Sequence, residues 1–319
     1  MVFQGVIEKI YRGILFRRYE EHDTTKYFSA SDFKDISSDP YEFENCNGET
    51  LRGAFYSSSK KIPGRIVIFE HGLGSGHRAY IREIVMLAEH GYTVFAYDRT
   101  GCVSSDGESI KGFAGSLSDF NDCLNALKSD DKYKDCDFSV MGHSWGGFSA
   151  LNAAAYHPDI THVVAMSGFR SVEAMHEQTF CGLLKYYRKH IFNVESETNP
   201  GFASVSAYDT LNKTNAKTLV IHSDDDKVVS CAVHFDPLVE ISKKNPNVRF
   251  LKVSGKNHNP NYTAEAVKYL SEYCASQKKL KKKLKTDEQK KAFIDSFDWW
   301  KMTEQDESVW KEIFDTLDN

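Results

Sequence analysis

Apolar positions in the middle of the chain alternate between short continuous runs and longer stretches with helical spacing. Eight short runs rich in β-branched or aromatic residues predict strands, at residues 41–46, 51–56, 65–70, 92–97, 137–141, 162–166, 218–222 and 248–253. Between them, apolar residues three or four positions apart predict helices at residues 79–90, 113–128, 144–156 and 261–275. Regular alternation of this kind is typical of an α/β fold.

The strand runs also indicate how the sheet is built. Residues 65–70 (RIVIFE) and 162–166 (HVVAM) are apolar almost throughout, as strands are when helices cover both faces of a parallel sheet. The first two strands are joined by Asn47-Gly48, a strong signal for an antiparallel hairpin. We therefore predict a doubly wound, mostly parallel sheet that opens with an antiparallel hairpin.

One long segment interrupts the alternation. Between Gly168 and Thr214 the pattern shows helix-like pieces and no clear strand. A connection this long inside a compact domain is usually functional, so we predict a helical cap at about residues 169–214. Three of its apolar residues are predicted to bind substrate, and the alternative is that they pack the cap's own small core: Phe180, Leu184 and Tyr187.

The two ends of the chain differ from the middle. We predict an N-terminal helical or extended segment (1–38), an α/β domain (39–277) and a C-terminal helical tail (278–319). The first 20 residues show a basic amphipathic pattern, which either packs on the domain or makes weak peripheral contact with a membrane. The lysine-rich run after residue 277 is either a solvated helix face or a site for anions or acidic headgroups. The aromatic residues of the tail should dock on the body or on a second subunit, so both a monomer and a homodimer remain open.

Composition narrows the classes of function. The 319 residues suffice for one large α/β domain with an insertion, and the net charge of −5 argues against nucleic-acid binding. No run approaches the ~18 apolar residues of a transmembrane helix, and no signal-peptide pattern is present. The seven cysteines are scattered without a CxxC pair, which predicts free thiols, a cytoplasmic location and no metal site.

The main candidate for chemistry is the segment Gly142-His143-Ser144-Trp145-Gly146, between a predicted strand and a predicted helix. A serine on such a tight turn exposes its hydroxyl at the carboxyl edge of the sheet, and small residues on either side let strand and helix approach closely. The N-terminus of the following helix stabilises developing negative charge. We therefore predict that Ser144 is a nucleophile.

A serine hydroxyl needs a base, usually a histidine that an acid orients. In hydrolases that carry the serine on this kind of turn, the acid and then the histidine follow in the chain. His258 comes just after the last predicted strand, in a loop rich in turn residues, and is a better candidate than His222 or His234. The acid should follow the preceding strand, where we choose Asp226 because the apolar residues after it can pack it down, with Asp225 as the alternative.

The second requirement is a pair of backbone N–H groups that stabilise an oxyanion. One comes from the residue after the nucleophile, Trp145, and the other is predicted from Leu73 in the glycine-rich turn after strand 65–70. That turn lacks both the G-x-G-x-x-G arrangement and the Lys-Ser/Thr ending of phosphate-binding loops, which argues against a nucleotide.

Together these segments resemble the α/β-hydrolase superfamily, with the serine-aminopeptidase and monoacylglycerol-lipase-like hydrolases and their bacterial esterase relatives as the nearest branch. The resemblance rests on motifs that occur in the expected order between about residues 41 and 275: His71-Gly72-Leu73-Gly74, Tyr97-Asp98-Arg99-Thr100-Gly101, Gly142-His143-Ser144-Trp145-Gly146-Gly147, the Asp226 segment and Gly255-Lys256-Asn257-His258. It implies eight core strands, no cofactor, and a cap inserted after the sixth strand.

The expected activity is hydrolysis of a small-molecule carboxylic ester through an acyl-enzyme. Three other readings remain open. An aminopeptidase or amidase would need carboxylates for the substrate amine, and the cap offers four candidates: Glu173, Glu177, Glu195 and Glu197. An acyltransferase would pass the acyl group to an alcohol or thiol. A non-catalytic binding protein would require a broken triad, whereas all three members are present.

Overall fold

The computed structural model describes residues 3–242 and 244–319. The predicted N-terminal segment begins with Met1 and Val2, which lie outside the described residues. The eight strands are β1 (Ile36–Glu44), β2 (Thr50–Ser58), β3 (Arg65–Glu70), β4 (Thr93–Tyr97), β5 (Asp137–His143), β6 (His162–Met166), β7 (Lys217–Ser223) and β8 (Val248–Val253). The described residues also form thirteen α-helices, which connect the strands or extend beyond them: α1 (Gln4–Leu15), α2 (Ile81–His90), α3 (Gly115–Ser129), α4 (Trp145–Asn152), α5 (Val172–Thr179), α6 (Arg188–Thr198), α7 (Ala207–Lys213), α8 (Cys231–His234), α9 (Asp236–Ser242), α10 (Ala264–Leu280), α11 (Asp287–Asp295), α12 (Trp299–Met302) and α13 (Glu307–Leu317).

The strands form a single sheet in the order β1-β2-β4-β3-β5-β6-β7-β8. β1 pairs with β2, and β2 with β4, in antiparallel fashion, whereas the strands from β4 to β8 pair in parallel. The predicted mostly parallel sheet with an antiparallel N-terminal hairpin is therefore confirmed. All parallel strands end at one edge, which places the loops that follow them side by side.

The predicted start of β1 was five residues late. β1 pairs with β2 over its whole length, from Ile36 opposite Ser58 to Glu44 opposite Thr50. The first half of this edge strand carries mainly exposed polar residues, so backbone pairing forms the strand where no apolar run marks it. Gly48 in the hairpin turn has a φ of 74°, a conformation that glycine adopts without a steric penalty.

The core lies on both faces of the sheet. Alternate side chains of β3 point to opposite faces: Ile66 and Ile68 pack with α1, α3 and α4, whereas Val67 and Phe69 pack with α2, α10 and the C-terminal helices. Among the described residues, no helix has the length and apolar character needed to cross a bilayer.

The long connection between β6 and β7 holds three α-helices, α5 to α7, and no strand. Two were indicated by the apolar pattern, and α7, a short helix that packs on α4 and α9, was not. This connection, residues 169–214, is called the insertion below.

Both ends of the chain contribute to the core. Tyr11 and Leu15 of α1 are buried in the cluster that contains α3 and α4, and Trp310 and Ile313 of α13 are buried in the opposite one. The tail thus docks on the body of the same chain, with α13 against β6 and β7. The lysines from residue 278 to 285 are all exposed.

Candidate active site

Ser144 lies between β5 and α4 on a sharply turned backbone. Its φ of 58° and ψ of −113° are strained for a residue with a side chain. The turn is possible because Gly142 and Gly146 have no Cβ: a Cβ on Gly146 would lie 1.9 Å from the carbonyl oxygen of Glu70, and one on Gly142 would lie 2.2 Å from the carbonyl oxygen of Gly146. The predicted roles of the two glycines follow from this close approach.

The structure brings Ser144, His258 and Asp226 together from three different loops. His258 Nε2 lies 2.8 Å from Ser144 Oγ, and His258 Nδ1 lies 2.8 Å from Asp226 Oδ2. An ionised carboxylate only accepts, so Nδ1–H donates to Asp226 and Nε2 is left to accept the serine hydroxyl. Ser144 is half-buried and the His258 side chain is 17 % exposed, so solvent reaches the site.

Geometry separates the adjacent aspartates. The side chain of Asp226 is fully buried, and its Oδ1 accepts hydrogen bonds from the backbone N–H groups of Val228 and Val229 at 2.8 and 3.0 Å. Asp225 is exposed and instead accepts from Ser223 Oγ and the Asn257 N–H, which joins the loop after β7 to the loop after β8. Asp226 is thus the carboxylate that faces the imidazole.

A second histidine, His222, also contacts the carboxylate of Asp226. Buried His222, at the end of β7, places its Nε2 3.3 Å from Asp226 Oδ2 and 2.8 Å from the carbonyl oxygen of Val229. Burial raises the pKa of Asp226, but hydrogen bonds from His222 and His258 outweigh burial and hold that pKa well below its ordinary range. Asp226 is therefore ionised at neutral pH.

His143, the residue before Ser144, supports the loop that carries His258. Its Nε2 lies 2.6 Å from the carbonyl oxygen of His258, and its Nδ1 lies 2.9 Å from the hydroxyl of Tyr80. Burial lowers the pKa of His143 to about 3, so the ring is neutral at working pH. A neutral ring donates through Nε2 to the His258 carbonyl oxygen and accepts through Nδ1 from the Tyr80 hydroxyl. These two hydrogen bonds link Tyr80, His143 and His258, and we call this hydrogen-bonded chain the relay.

The predicted oxyanion donors lie on adjacent loops. In the parallel pairing of β3 with β5, Glu70 lies opposite Gly142. Leu73 and Trp145 each come three residues after one member of this pair, so their loops run side by side past Ser144. Trp145 begins α4, where backbone N–H groups are free to bind an anion.

Buried polar groups fix the position of the loop that carries Leu73. His71 accepts a hydrogen bond from the Arg99 N–H at 3.2 Å through Nε2, so its Nδ1–H donates to the Gly72 carbonyl oxygen at 2.8 Å. Burial lowers the pKa of His71 to about 3, which keeps this neutral pattern. The Arg99 guanidinium forms a fully buried ion pair with Glu70 at 2.6 Å and lies 4.5 Å from the ring centre of Trp145. Arg99 thus has a structural role beneath the loop that carries Leu73.

Comparison with known proteins agrees with this architecture. The family model described as the alpha/beta hydrolase fold matches residues 65–192, from β3 into α6. The structure also resembles an esterase of Pyrococcus furiosus, with a TM-score of 0.60 at 19% identity over 83% of this chain and 98% of that one. The chain thus has the α/β-hydrolase fold and resembles members of that superfamily.

Further known proteins share the fold or part of the sequence. An alpha/beta hydrolase of Penicillium sp. sh18 matches with a TM-score of 0.51 and 18% identity over 70% of this chain and 91% of that one. In sequence, the monoglyceride lipase of Rattus norvegicus is 29% identical over 124 residues, which is 38% of this chain. The match spans only 39% of the length of that lipase. Ser144 lies within the region that the family model matches, whereas Asp226 and His258 lie beyond it.

The three residues predicted to bind substrate lie in different surroundings. Phe180 is buried against Tyr11 and His176, with ring centres 6.2 and 5.8 Å apart. Leu184 is 41% exposed, and Tyr187 is partly exposed on the same 3₁₀ helix between α5 and α6. The role of all three stays a prediction, and Phe180 fits the alternative of packing within the insertion.

Three residues of the site were not assigned a role from sequence. His143 lies inside the serine motif itself, and His222 was weighed only as a poorer base. Tyr80 belongs to no motif, and only the structure shows that it is part of the site. Its hydroxyl packs against Gly72, where a Cβ would lie 2.3 Å from the hydroxyl oxygen. A histidine four residues before the acid was the one signal available for His222.

Proposed function

We propose that this chain is a serine hydrolase that cleaves carboxylic esters through an acyl-enzyme on Ser144. The observation that carries the proposal is the continuous hydrogen-bonded line from Ser144 Oγ through His258 to Asp226, at 2.8 Å for each contact. A hydroxyl within reach of a neutral imidazole, itself oriented by a buried carboxylate, is the arrangement that activates serine.

In the first half of the reaction, Ser144 Oγ attacks the carbonyl carbon of the ester while His258 Nε2 takes the hydroxyl proton. Asp226 stabilises the imidazolium and holds the ring in the correct tautomer. When the tetrahedral intermediate collapses, the alcohol oxygen leaves with the proton from His258, and the acyl group stays on Ser144. In the second half, His258 takes a proton from water, which attacks the acyl carbon, and the acid and free serine are regenerated.

The backbone N–H groups of Leu73 and Trp145 would hold the oxyanion in both halves. Their loops adjoin because β3 and β5 pair directly, and His71 and the Arg99–Glu70 pair keep the first loop in place. Preorganised donors of this kind typically contribute ~10²–10³-fold to the rate.

An ester substrate is supported by the similarity to a monoglyceride lipase and to an esterase. We propose that the insertion acts as a cap over the serine and selects the acyl group. Two of the four carboxylates that an aminopeptidase could use are otherwise engaged. Glu195 is buried and accepts hydrogen bonds from Tyr11 and from the backbone of Phe113 and Ala114, and Glu177 pairs with Arg170. No contact of the described residues favours an amide substrate.

The decisive test is labelling with a fluorophosphonate probe, in wild type and in Ser144→Ala and His258→Ala. We expect labelling of wild type, loss in Ser144→Ala, and strong slowing in His258→Ala. Ser230→Ala, in the loop after Asp226, serves as a matched serine control and should label fully. Labelling that persists in Ser144→Ala refutes the nucleophile assignment. A series of p-nitrophenyl esters set against aminoacyl anilides, with and without an added alcohol, then separates the esterase from the amidase and acyltransferase alternatives.

A further inference from the structure

A cavity of about 400 Å³ lies beside the loop that carries Leu73. Its walls come from three distant parts of the chain: residues 22–28, residues 73–82 and residues 299–303, with α10 completing the lining. The first and third parts lie outside the motifs that carry the resemblance, so this cavity joins the two ends of the chain to the α/β domain. Its volume falls within the range of ~300–1,000 Å³ typical of small-molecule sites.

The walls are apolar and preformed. Phe28, Tyr273, Trp299 and Met302 line the cavity and are all buried by their neighbours. Trp299 Nε1 donates to the Ile294 carbonyl oxygen at 2.8 Å, and the Tyr273 hydroxyl lies 2.8 Å from Thr25 Oγ1. A site whose side chains are already held in place loses little conformational entropy when a ligand binds.

The charged groups of the lining all have one sign. Lys26, Arg78 and Arg82 line the cavity, and no carboxylate is among its described lining residues. Lys26 Nζ lies 4.8 Å from the ring centre of Phe28, and Arg78 makes a loose pair with Glu21 at 3.4 Å. An apolar chamber with three cations at its wall suits a ligand that is apolar over most of its length and carries a negative charge.

Arg82 identifies where the negative group would bind. Its guanidinium lies 4.7 Å from the ring centre of Trp300, and its buried Nε has no hydrogen-bond partner among residues 3–242 and 244–319. The orphaned Nε shows that the described residues do not satisfy all donors of this guanidinium, and as Arg82 lines the cavity, its other N–H groups can donate charge-assisted hydrogen bonds to an anionic oxygen.

We propose that this cavity binds a single-chain amphiphile with an anionic head group, whose chain lies among the aromatic and aliphatic walls and whose head contacts Arg82. The head can be a carboxylate or a phosphate, and both present the oxygen acceptors that the guanidinium lacks. The binding itself does not depend on the proposed ester hydrolysis. Because Leu73 lines the cavity and is also a proposed oxyanion donor, a bound amphiphile is expected to inhibit hydrolysis, and this consequence alone rests on the proposed function.

The test is calorimetric titration of the full chain carrying Ser144→Ala, so that neither binding nor its failure depends on turnover. We expect decanoate or decyl phosphate to bind, decan-1-ol to bind more weakly, and decyltrimethylammonium to bind at least ~10-fold more weakly than the anions, about 1.4 kcal/mol. The tighter of the two anions assigns the head group as carboxylate or phosphate. Equal affinity for the anionic and cationic amphiphiles, or no binding of either anion, overturns the proposal.

Variants locate the site. Arg82→Gln should weaken anion binding ~10-fold and leave decan-1-ol unchanged, Arg82→Lys should retain most of the affinity, and Arg249→Gln on β8 should have no effect. Leu270→Trp fills the cavity and should abolish binding of decanoate, decyl phosphate and decan-1-ol. Lys268→Trp, exposed on the same helix, should not. Thermal unfolding verifies that each variant is folded. Unchanged binding in a folded Leu270→Trp protein would place the ligand elsewhere and refute the assignment.

Discussion

Replacing His143 tests whether the relay from Tyr80 positions the catalytic base. His143→Leu removes both the donor to the His258 carbonyl oxygen, at 2.6 Å, and the acceptor for the Tyr80 hydroxyl, at 2.9 Å. His143 touches neither the substrate carbonyl nor the serine proton in the proposed mechanism. Its loss should therefore act only through the position of His258.

The expected loss of kcat in His143→Leu lies between two limits. One neutral hydrogen bond contributes ~1 kcal/mol, so its loss alone would lower kcat about fivefold. If the His258 loop then shifts by ~1 Å, misplacement of a reacting group costs ~10²-fold. We therefore expect kcat to fall by ~5- to 100-fold with little change in KM, because the contact is not with substrate.

The assay is hydrolysis of a p-nitrophenyl ester by four variants. His143→Gln can place an amide N–H near the former Nε2 and should recover much of kcat, whereas Tyr80→Phe, which leaves His143 without its donor, should give an intermediate loss. His90→Leu, at the far end of α2, is the matched histidine control and should be fully active. Full kcat in a folded His143→Leu protein, or equal losses in the Gln and Leu variants, would refute the positioning role.

Three further predictions concern carboxylates and pH. Asp226→Asn should lower kcat by ~10³- to 10⁴-fold because the amide no longer selects the Nδ1–H tautomer of His258, whereas Asp225→Asn should retain it; the reverse result in steady-state kinetics would move the role. Since the pKa of Asp226 is held well below its ordinary range and burial lowers that of His143 to about 3, neither group should change charge as the pH falls from 8 to 5; kcat/KM should therefore fall at acid pH with a logarithmic slope no steeper than one, and a slope of two would contradict this. Burial raises the pKa of Asp119 to about 7, so the folded state holds this proton more tightly than the unfolded chain and stability should decrease as pH rises from about 4 to about 7. Urea unfolding of Asp119→Asn should show a loss between pH 5 and pH 8 that is smaller by on the order of 2 kcal/mol, and an identical pH dependence would show that burial does not perturb Asp119.

The sheet and the residues at its edge could be predicted because both depend on local pattern. Continuous apolar runs identify β3 and β6, and the glycines around Ser144 identify a turn that only small neighbours permit. β1 was the exception: as an edge strand with one face in solvent, its first half has no apolar run and is recognised only by pairing with β2.

The choice between Asp225 and Asp226 shows where pattern stops being sufficient. Both are aspartates in one turn, and nothing in their spacing decides which one faces the imidazole. The structure separates them through burial and through the backbone N–H groups of Val228 and Val229, which turn Asp226 inward. His222, at the end of β7, also contacts the Asp226 carboxylate. This contact forms because the turn after β7 folds back toward the end of the strand.

The substrate-facing surfaces could not be derived because they join segments far apart in the chain. The register of β3 against β5 places Glu70 opposite Gly142, so the loops that carry Leu73 and Trp145 start side by side. No such register links residues 22–28 to residues 299–303. These segments meet at the cavity beside Leu73 through the contact of Phe28 with Trp300 and through Tyr273, which contacts both Thr25 and Trp299. We infer that the loops at the edge of the sheet carry the proposed chemistry, whereas the insertion and the termini set the proposed choice of ligand. Replacing the cavity-lining residues within 299–303 should therefore change which amphiphiles bind. The reactivity of Ser144 toward a fluorophosphonate should stay unchanged.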